Sequence, residues 1–297
     1  MVRLARSVSG EPAGGALRIL SNRSGGMVIE LHGVVVKAHP TGVDEMALAA
    51  RLEAVAPLER LVVPPIGPLS EVGDRVVTVW PVGEPVAPDD PDAAPWEEAG
   101  ALLARLHATP LDQLPDKLPA AGAPARVERA MARMRKSGAA EAAADVERAF
   151  AALPAWATGA APVPGRALVH GDWHLGQLVR GAGGVAGWRL IDVDDLGVGD
   201  PAWDLARPAA LFAAGTLDPD VWHRFLGAYR AAGGCAVPAG GDPWPALDLP
   251  ARALAVQLAA SGVADAADAG REPDDFERAL LDTCRRMISV AGAADVS

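Results

Sequence analysis

Cysteine is scarce: Cys235 and Cys284 are the only two in 297 residues, and they form neither a CxxC pair nor a metal-spaced set. A disulfide framework and a thiolate metal centre are therefore excluded, and a reduced, cytoplasmic protein is the simplest reading. Long apolar runs are missing as well. Every hydrophobic stretch is cut by Gly, Pro or charge, so no membrane span is expected. The start, "MVRLARSVSGEPAGG", is basic but lacks the apolar core of a secretory signal. Positive charge is in deficit, with 27 Lys and Arg against 38 Asp and Glu, a formal net charge of -11. That balance argues against nucleic acid as the partner. It would tolerate a cationic substrate, but it is also what ordinary solubility requires. The single tyrosine and the wealth of Ala, Gly and Pro reflect compositional bias more than function. What remains is a chain half hydrophobic, enough to bury a sizeable core in one large domain or two lobes.

The first third reads as β structure with one helix. Two apolar runs, residues 27–31 and 34–37, flank His32-Gly33 and predict a tight hairpin. Met46, Ala49, Ala50, Leu52 and Val55 have helical spacing, and Pro64-Pro65 forbids further helix. "DRVVTVWPVGEPV" is a strand ended by Pro81 and Gly83. From Pro95 onward helices dominate. They are expected within residues 95–110, 124–138, 139–154, 218–233, 250–260 and 274–287, with short β runs at "RALVHG" and "WRLIDV". "PAGGDPWP" reads as a surface loop. The expected organisation is a β-rich N-terminal lobe, residues 1–83, and a helical C-terminal lobe, residues 84–297.

The chemistry lies beside the two short β runs. Asp172 follows "LVH", and "LIDVDDLGVGDPAWDLA" carries Asp192, Asp194, Asp195, Asp200 and Asp204. Apolar strands running straight into carboxylates imply acidic loops at strand ends. Two such carboxylates brought close repel one another unless a cation lies between them. Hard oxygen ligands favour Mg²⁺, completed by substrate phosphates. Asp at a strand end is also a common turn or cap residue, so either cluster alone would be ambiguous.

"HGDWHLGQ" followed by "IDVDDLGVGDPAWDLA" resembles the aminoglycoside phosphotransferase and choline kinase-like family, in which HGDxHxxN precedes IDxxDxxxGDPxxDLA. The match runs through His170, Gly171, Asp172, His174, Ile191, Asp192, Asp195, Gly199, Asp200, Pro201, Asp204, Leu205 and Ala206. The resemblance implies an α+β, two-lobed, protein-kinase-like fold and transfer of the γ-phosphoryl group of ATP or GTP to a hydroxyl of a small molecule. It implies Asp172 as catalytic base, His170 as scaffold of the catalytic loop, and Asp192 as metal-binding carboxylate. Asp200 is expected to brace the loop and Asp204 to cap the following helix. Gln177 stands where the family has asparagine, its amide oxygen on a stem longer by about 1.5 Å. Either Gln177 reaches Mg²⁺ by a shift of the loop, or Asp194 or water takes its place, or the metal site is degraded.

In the N-terminal lobe, Ser24, Gly25 and Gly26 would form a phosphate-covering turn. Lys37 would meet the α- and β-phosphates and pair with a helix glutamate, Glu53 in preference to Glu45. Backbone groups near Trp80 and Val82 would meet the adenine. The acceptor remains open between an aminoglycoside-like amine and a neutral sugar or amino alcohol, and a nucleotide-binding protein without turnover is the rival from another class. No nucleic-acid or membrane partner is expected, and the oligomeric state is left open.

Overall fold

The structure is a computed structural model, and it describes residues 1–9, 16–23, 25–87, 94–162 and 167–294. In chain order the elements are α1 Val2–Ser9, β1 Arg18–Arg23, β2 Gly26–Leu31, β3 Val34–Ala38, α2 Glu45–Val55, β4 Ser70–Val72, β5 Arg75–Pro81, β6 Glu84–Pro85, α3 Trp96–His107, α4 Ala123–Lys136, α5 Ala140–Ala151, β7 Ala167–Val169, β8 Leu178–Arg180, β9 Trp188–Leu190, β10 Gly197–Gly199, α6 Ala202–Ala213, α7 Pro219–Ala231, α8 Trp244–Asp268 and α9 Asp275–Ala294. They form a mixed α+β chain of two compact units. One unit is Met1–Pro91 with Asp112–Pro119 and Leu175–Asp194, and the other is Asp92–Leu111 with Ala120–His174 and Asp195–Ser297.

The first unit is built on an antiparallel sheet in the order β1-β2-β3-β5-β4. The expected hairpin closes at His32-Gly33, both with positive φ (51° and 75°), as a two-residue turn matched to the strand twist requires. Alternation in β3 buries Val34, Val36 and Ala38 with Ile29, Leu31, Val77 and Val79, so Lys37 is carried on the opposite face. Helix α1, absent from the sequence-based expectations, lays Leu4, Ala5 and Val8 on this core. Arg18 and Ile19, like residues 21–23, pair with β2, with an irregularity in register at Leu20. Asp44 starts α2 by accepting the Ala47 N–H at 3.0 Å.

A division into consecutive stretches at 83/84 is not the one the compact units follow. Residues 175–194 belong with the first unit because β8 joins β6 and β9 in a small sheet. Val63 N–H bonds the Leu190 carbonyl at 2.9 Å, Leu190 N–H bonds Leu61 at 2.8 Å, and Val63 packs on Val179 and Ala182. These are long-range pairings, invisible to local pattern.

The second unit packs α4, α6 and α9 against α8, and α3 against α7. Its core includes Val127, Met131, Met134, Val256, Ala260, Val263, Leu280 and Cys284. At Gly100 of α3 a Cβ would stand 2.4 Å from the Phe225 carbonyl oxygen, so only glycine permits that close approach. Helix α8 begins at Trp244 and runs through the buried Pro250, where the sequence predicted its start. Proline forfeits one helical hydrogen bond there, and packing in the bundle outweighs it. The expected loop 238–245 is in part its first turn.

Candidate active site

In the second unit, β7 delivers His170, Gly171 and Asp172 into a turn. Gly171 has φ +82°, and a Cβ there would meet the Asp195 carbonyl oxygen at 2.2 Å, so the turn admits no side chain. The fully buried carboxylate of Asp204 secures it, accepting the His170 N–H at 2.7 Å and the Gly171 N–H at 2.9 Å. His107 Nε2 reaches the same carboxylate at 3.0 Å, His107 Nδ1 meets the Tyr229 hydroxyl at 2.8 Å, and that hydroxyl accepts the Ala236 N–H at 2.9 Å. A carboxylate only accepts, so the bonding pattern assigns the proton to Nε2 and lets Tyr229 donate to Nδ1. Every member of the buried chain is then satisfied. Burial works to raise the Asp204 pKa, but the His107 hydrogen bond, the His107 and His170 rings and the His170 N–H hold it below the usual carboxylate range.

The sequence-based roles of two aspartates are thereby exchanged. Asp204 braces the loop instead of capping a helix. Asp200 accepts the Ala202 N–H at 3.0 Å and opens α6. Trp173, inside the motif, stacks on Phe225 at 5.2 Å and fixes the far side of the turn.

Asp172 itself is flanked by guanidiniums that sequence reasoning missed. Arg126 Nη2 lies 2.8 Å from Oδ2 and Arg207 Nη2 lies 3.3 Å from Oδ1. Arg126 also binds Asp195 at 2.7 Å, and Arg129 reaches Asp195 at 3.3 Å. Burial pushes the Asp172 carboxyl above the usual range; Arg126, Arg207 and His170 pull it back without overcoming burial, while Asp195 adds to the rise. His170 is buried, with Nδ1 3.4 Å from the Asp172 backbone nitrogen. Arg207 follows "DLA" on the helix that carries Asp204, and that adjacency was the available signal.

The first unit gathers the other predicted residues. Lys37 Nζ lies 2.7 Å from Asp192 Oδ1 and 2.7 Å from Asp194 Oδ2. Burial opposes its charge, yet the two aspartates outweigh burial and raise the Lys37 pKa. The expected glutamate partner is corrected: Lys37 pairs with the carboxylates that follow β9. Glu53 and Glu45 are both exposed on α2. Glu53 instead lines a groove of about 760 Å³ with Asp44, Met46 and Lys117. Asp192 has φ +64°, a conformation that aspartate tolerates better than most residues, and its Oδ1 lies 3.4 Å from the Asp194 N–H. Gln177 is buried, and its Nε2 approaches Asp192 Oδ2 at 3.4 Å. Asp192, Asp194 and Gln177 are thus brought together.

His39, for which no sequence motif gives a role, is buried with Nε2 3.0 Å from Thr78 Oγ1 and Nδ1 3.5 Å from Asp194. It lies two residues beyond Lys37, the spacing that puts side chains on one face of an extended chain. Burial would raise Asp194, but the His39 contact and Lys37 hold it far below the usual range.

The remaining predicted nucleotide contacts fall on the β1–β2 turn and at the end of β5. Gly25 (φ +78°) and Gly26 lie at the β1–β2 hairpin, where Arg23 pairs with Gly26, and Arg75 donates to the Gly25 carbonyl. Ser24 lies outside the described residues. Trp80 Nε1 donates to Thr78 Oγ1 at 2.9 Å. The Val82 N–H is bonded to the Gly33 carbonyl at 3.0 Å, so this donor is already committed.

Among the described residues no group of three or more His, Cys, Asp or Glu side chains could hold a metal ion unaided, and no helix is long and apolar enough to cross a membrane. Two carboxylates and an amide are nevertheless hard-oxygen donors of the kind Mg²⁺ takes when phosphates complete its shell, and the Lys37 ammonium between the carboxylates shows that a cation is accommodated there.

The chain belongs to the phosphotransferase enzyme family, which it matches over residues 22–248. No curated protein matches the sequence. Among solved structures it is similar to a choline/ethanolamine kinase family protein from Mesorhizobium loti, with 17% identity, TM-score 0.56, and 97% of this chain and 94% of that chain covered. A macrolide 2'-phosphotransferase from Brachybacterium faecium aligns with 21% identity and TM-score 0.53 over 96% and 98% of the two chains. A spectinomycin phosphotransferase solved with ADP and spectinomycin aligns with 13% identity and TM-score 0.50 over 94% and 93%. These likenesses establish the protein-kinase-like fold expected from the sequence.

Proposed function

We propose that the protein transfers the γ-phosphoryl group of ATP to a hydroxyl of a small molecule, with Asp172 as the base that accepts the hydroxyl proton. The observation that carries this reading is the Asp172 carboxylate, buried yet partly accessible, on a turn that Asp204 and Gly171 fix from behind. Phosphoryl transfer demands little covalent chemistry of the protein; positioning and electrostatics supply most of the rate. Lys37 would bind the phosphates, with Gly25 and Gly26 covering them. Asp192, with Gln177 or Asp194, would hold Mg²⁺, which neutralises charge developing on the phosphates. The amide of Gln177 now turns its nitrogen to Asp192, and a half-turn of that group presents its oxygen instead. The ADP held by the spectinomycin phosphotransferase supports an adenine nucleotide as donor.

The test is ATP-dependent transfer to a panel of alcohols, read by ADP release and by phosphorylated product, in wild type and Asp172→Asn. General-base catalysis contributes about 10²–10⁴-fold, so the variant should lose that much of kcat while binding ATP normally. Near-normal turnover in Asp172→Asn would remove it as the base. ATP binding with no transfer to any alcohol would favour a nucleotide-binding protein without turnover.

A further inference from the structure

We propose that the acceptor alcohol carries an anionic group, a carboxylate or a phosphate, and that Arg207 is the residue that selects it. The proposal rests on the phosphotransferase reading above and narrows its acceptor. Around the base, the guanidiniums of Arg126, Arg129 and Arg207 pair with the carboxylates of Asp172 and Asp195. The protein as a whole is acidic, so a local excess of guanidinium is contrary to the background.

The three arginines are not equally engaged. Arg126 has short contacts to both aspartates, 2.8 and 2.7 Å. Arg207 differs from Arg126 in having a single long contact, 3.3 Å to Asp172 Oδ1; its Nε is also buried with no hydrogen-bond partner, a feature not unique to it around the base. Burial lowers its pKa and Asp172 only partly compensates. A guanidinium offers five donors in a planar fork, and leaving buried donors unmet costs free energy that an incoming anion would recover.

The chemistry of the transfer points the same way. For Asp172 to take a hydroxyl proton, one of its oxygens must be released by a guanidinium. The weaker contact is that of Arg207 to Oδ1. An acceptor whose hydroxyl displaces Arg207 from Oδ1 and whose carboxylate or phosphate then receives the guanidinium satisfies both groups at once, and the fork geometry suits either anion. An ammonium brought to the same place would face guanidiniums of like charge. The amine-bearing acceptor that the acidic composition tolerates is therefore disfavoured at the base itself. Arg129, 59% exposed with a single 3.3 Å contact, offers a second arm for the same anion.

The experiment compares matched acceptors: a neutral sugar or polyol, the corresponding sugar acid, the corresponding sugar phosphate, and the corresponding amino sugar. Each is assayed for kcat and KM with wild type, Arg207→Met and Arg207→Lys. A charge-assisted pair corresponds to about tenfold or more. Wild type should favour one anionic acceptor over its neutral counterpart by at least that factor, and the favoured arm identifies carboxylate or phosphate. Arg207→Met should bring the anionic-to-neutral ratio in KM toward one, and Arg207→Lys should restore part of it. Equal or better efficiency with the neutral or amino acceptor in wild type overturns the proposal alone, and needs no variant to fold. A uniform loss across all acceptors in Arg207→Met also overturns it, leaving Arg207 as a residue that positions Asp172. Failure to phosphorylate any acceptor overturns the phosphotransferase reading, and this proposal with it.

Discussion

The two units treat a partly buried aspartate in opposite ways. In the first, two carboxylates share one ammonium, Lys37, and Asp194 is held far below the usual carboxylate range. In the second, guanidiniums crowd two carboxylates, yet Asp172 lies above that range. Burial pushes both aspartates upward, so burial does not make the difference. Asp194 meets Lys37 at 2.7 Å with His39 behind it, while Asp172 has one short and one long arginine contact and the repulsion of Asp195 to set against them. The first arrangement suits holding a cation and phosphates. The second leaves Asp172, the proposed base, less stabilised as the anion, so that it would retain affinity for a proton.

The comparison breaks most severely at Asp204. Asp204→Ala leaves the N–H groups of His170 and Gly171 and the His107 ring without their acceptor, in a fully buried setting. A stability loss of about 3–5 kcal/mol is expected, as for removal of one partner of a buried charged network, with turnover lost as well. Urea denaturation measures the first; a loss below about 1 kcal/mol would show that the turn is held by other means.

A milder cut falls at the far end of the same chain. Tyr229→Phe strips the hydroxyl that serves His107 and Ala236. Leaving such buried groups unmet costs about 1–3 kcal/mol. Because the effect passes through His107 and Asp204 to the turn, kcat should fall while KM for ATP holds. An equal fall in both would point to general loosening.

The contrast in titration gives two pH experiments. The acid limb of kcat/KM should lie above the ordinary aspartate value of about 3.9, because activity needs Asp172 ionised and its folded pKa is raised. Arg126→Met should move that limb further up, since Arg126 is the leading charge pulling the pKa down. A downward move would discard the assignment of the limb to Asp172. For Asp194 the sign is reversed: its folded pKa is depressed, so its stabilising contribution is present above the unfolded value and is lost as pH falls toward the folded one. Asp194→Asn should therefore flatten the decline of the urea midpoint below about pH 4, and an unchanged slope would count against the Lys37 pairing.

The smallest change sharpens the metal question. Gln177→Asn retracts the amide by about 1.5 Å from an Asp192 contact already 3.4 Å long. The Mg²⁺ concentration for half-maximal rate should rise modestly if the amide binds metal. No rise in either Gln177→Asn or Gln177→Ala would remove it from the metal shell.

Local pattern carried much of this protein. The His32-Gly33 hairpin, the helix opened by Asp44 and Lys37 on a strand could be read from alternation and turn chemistry, because those signals act within a few residues. The acidic motifs carried the family and the fold. Strands β1 and β10 were not legible: β1 has no clean alternation, and β10 is three residues with two glycines. Helix α8 was found but shortened, because proline reads locally as a boundary and only the bundle that buries Pro250 tells otherwise.

Sequence alone singled out Asp172, Asp192 and Asp194, since a motif of fixed spacing travels with its residues. Tertiary structure decided their partners. It gave Lys37 to Asp192 and Asp194 instead of Glu53, exchanged the duties of Asp200 and Asp204, and set Arg126 and Arg207 beside Asp172. It also separated the neighbours Asp194 and Asp195 into different compact units. The reason is range: a hydrogen bond or ion pair is won by whichever group folding brings within about 3 Å, and for all of these residues but Asp200 that group lies tens of positions or more away along the chain.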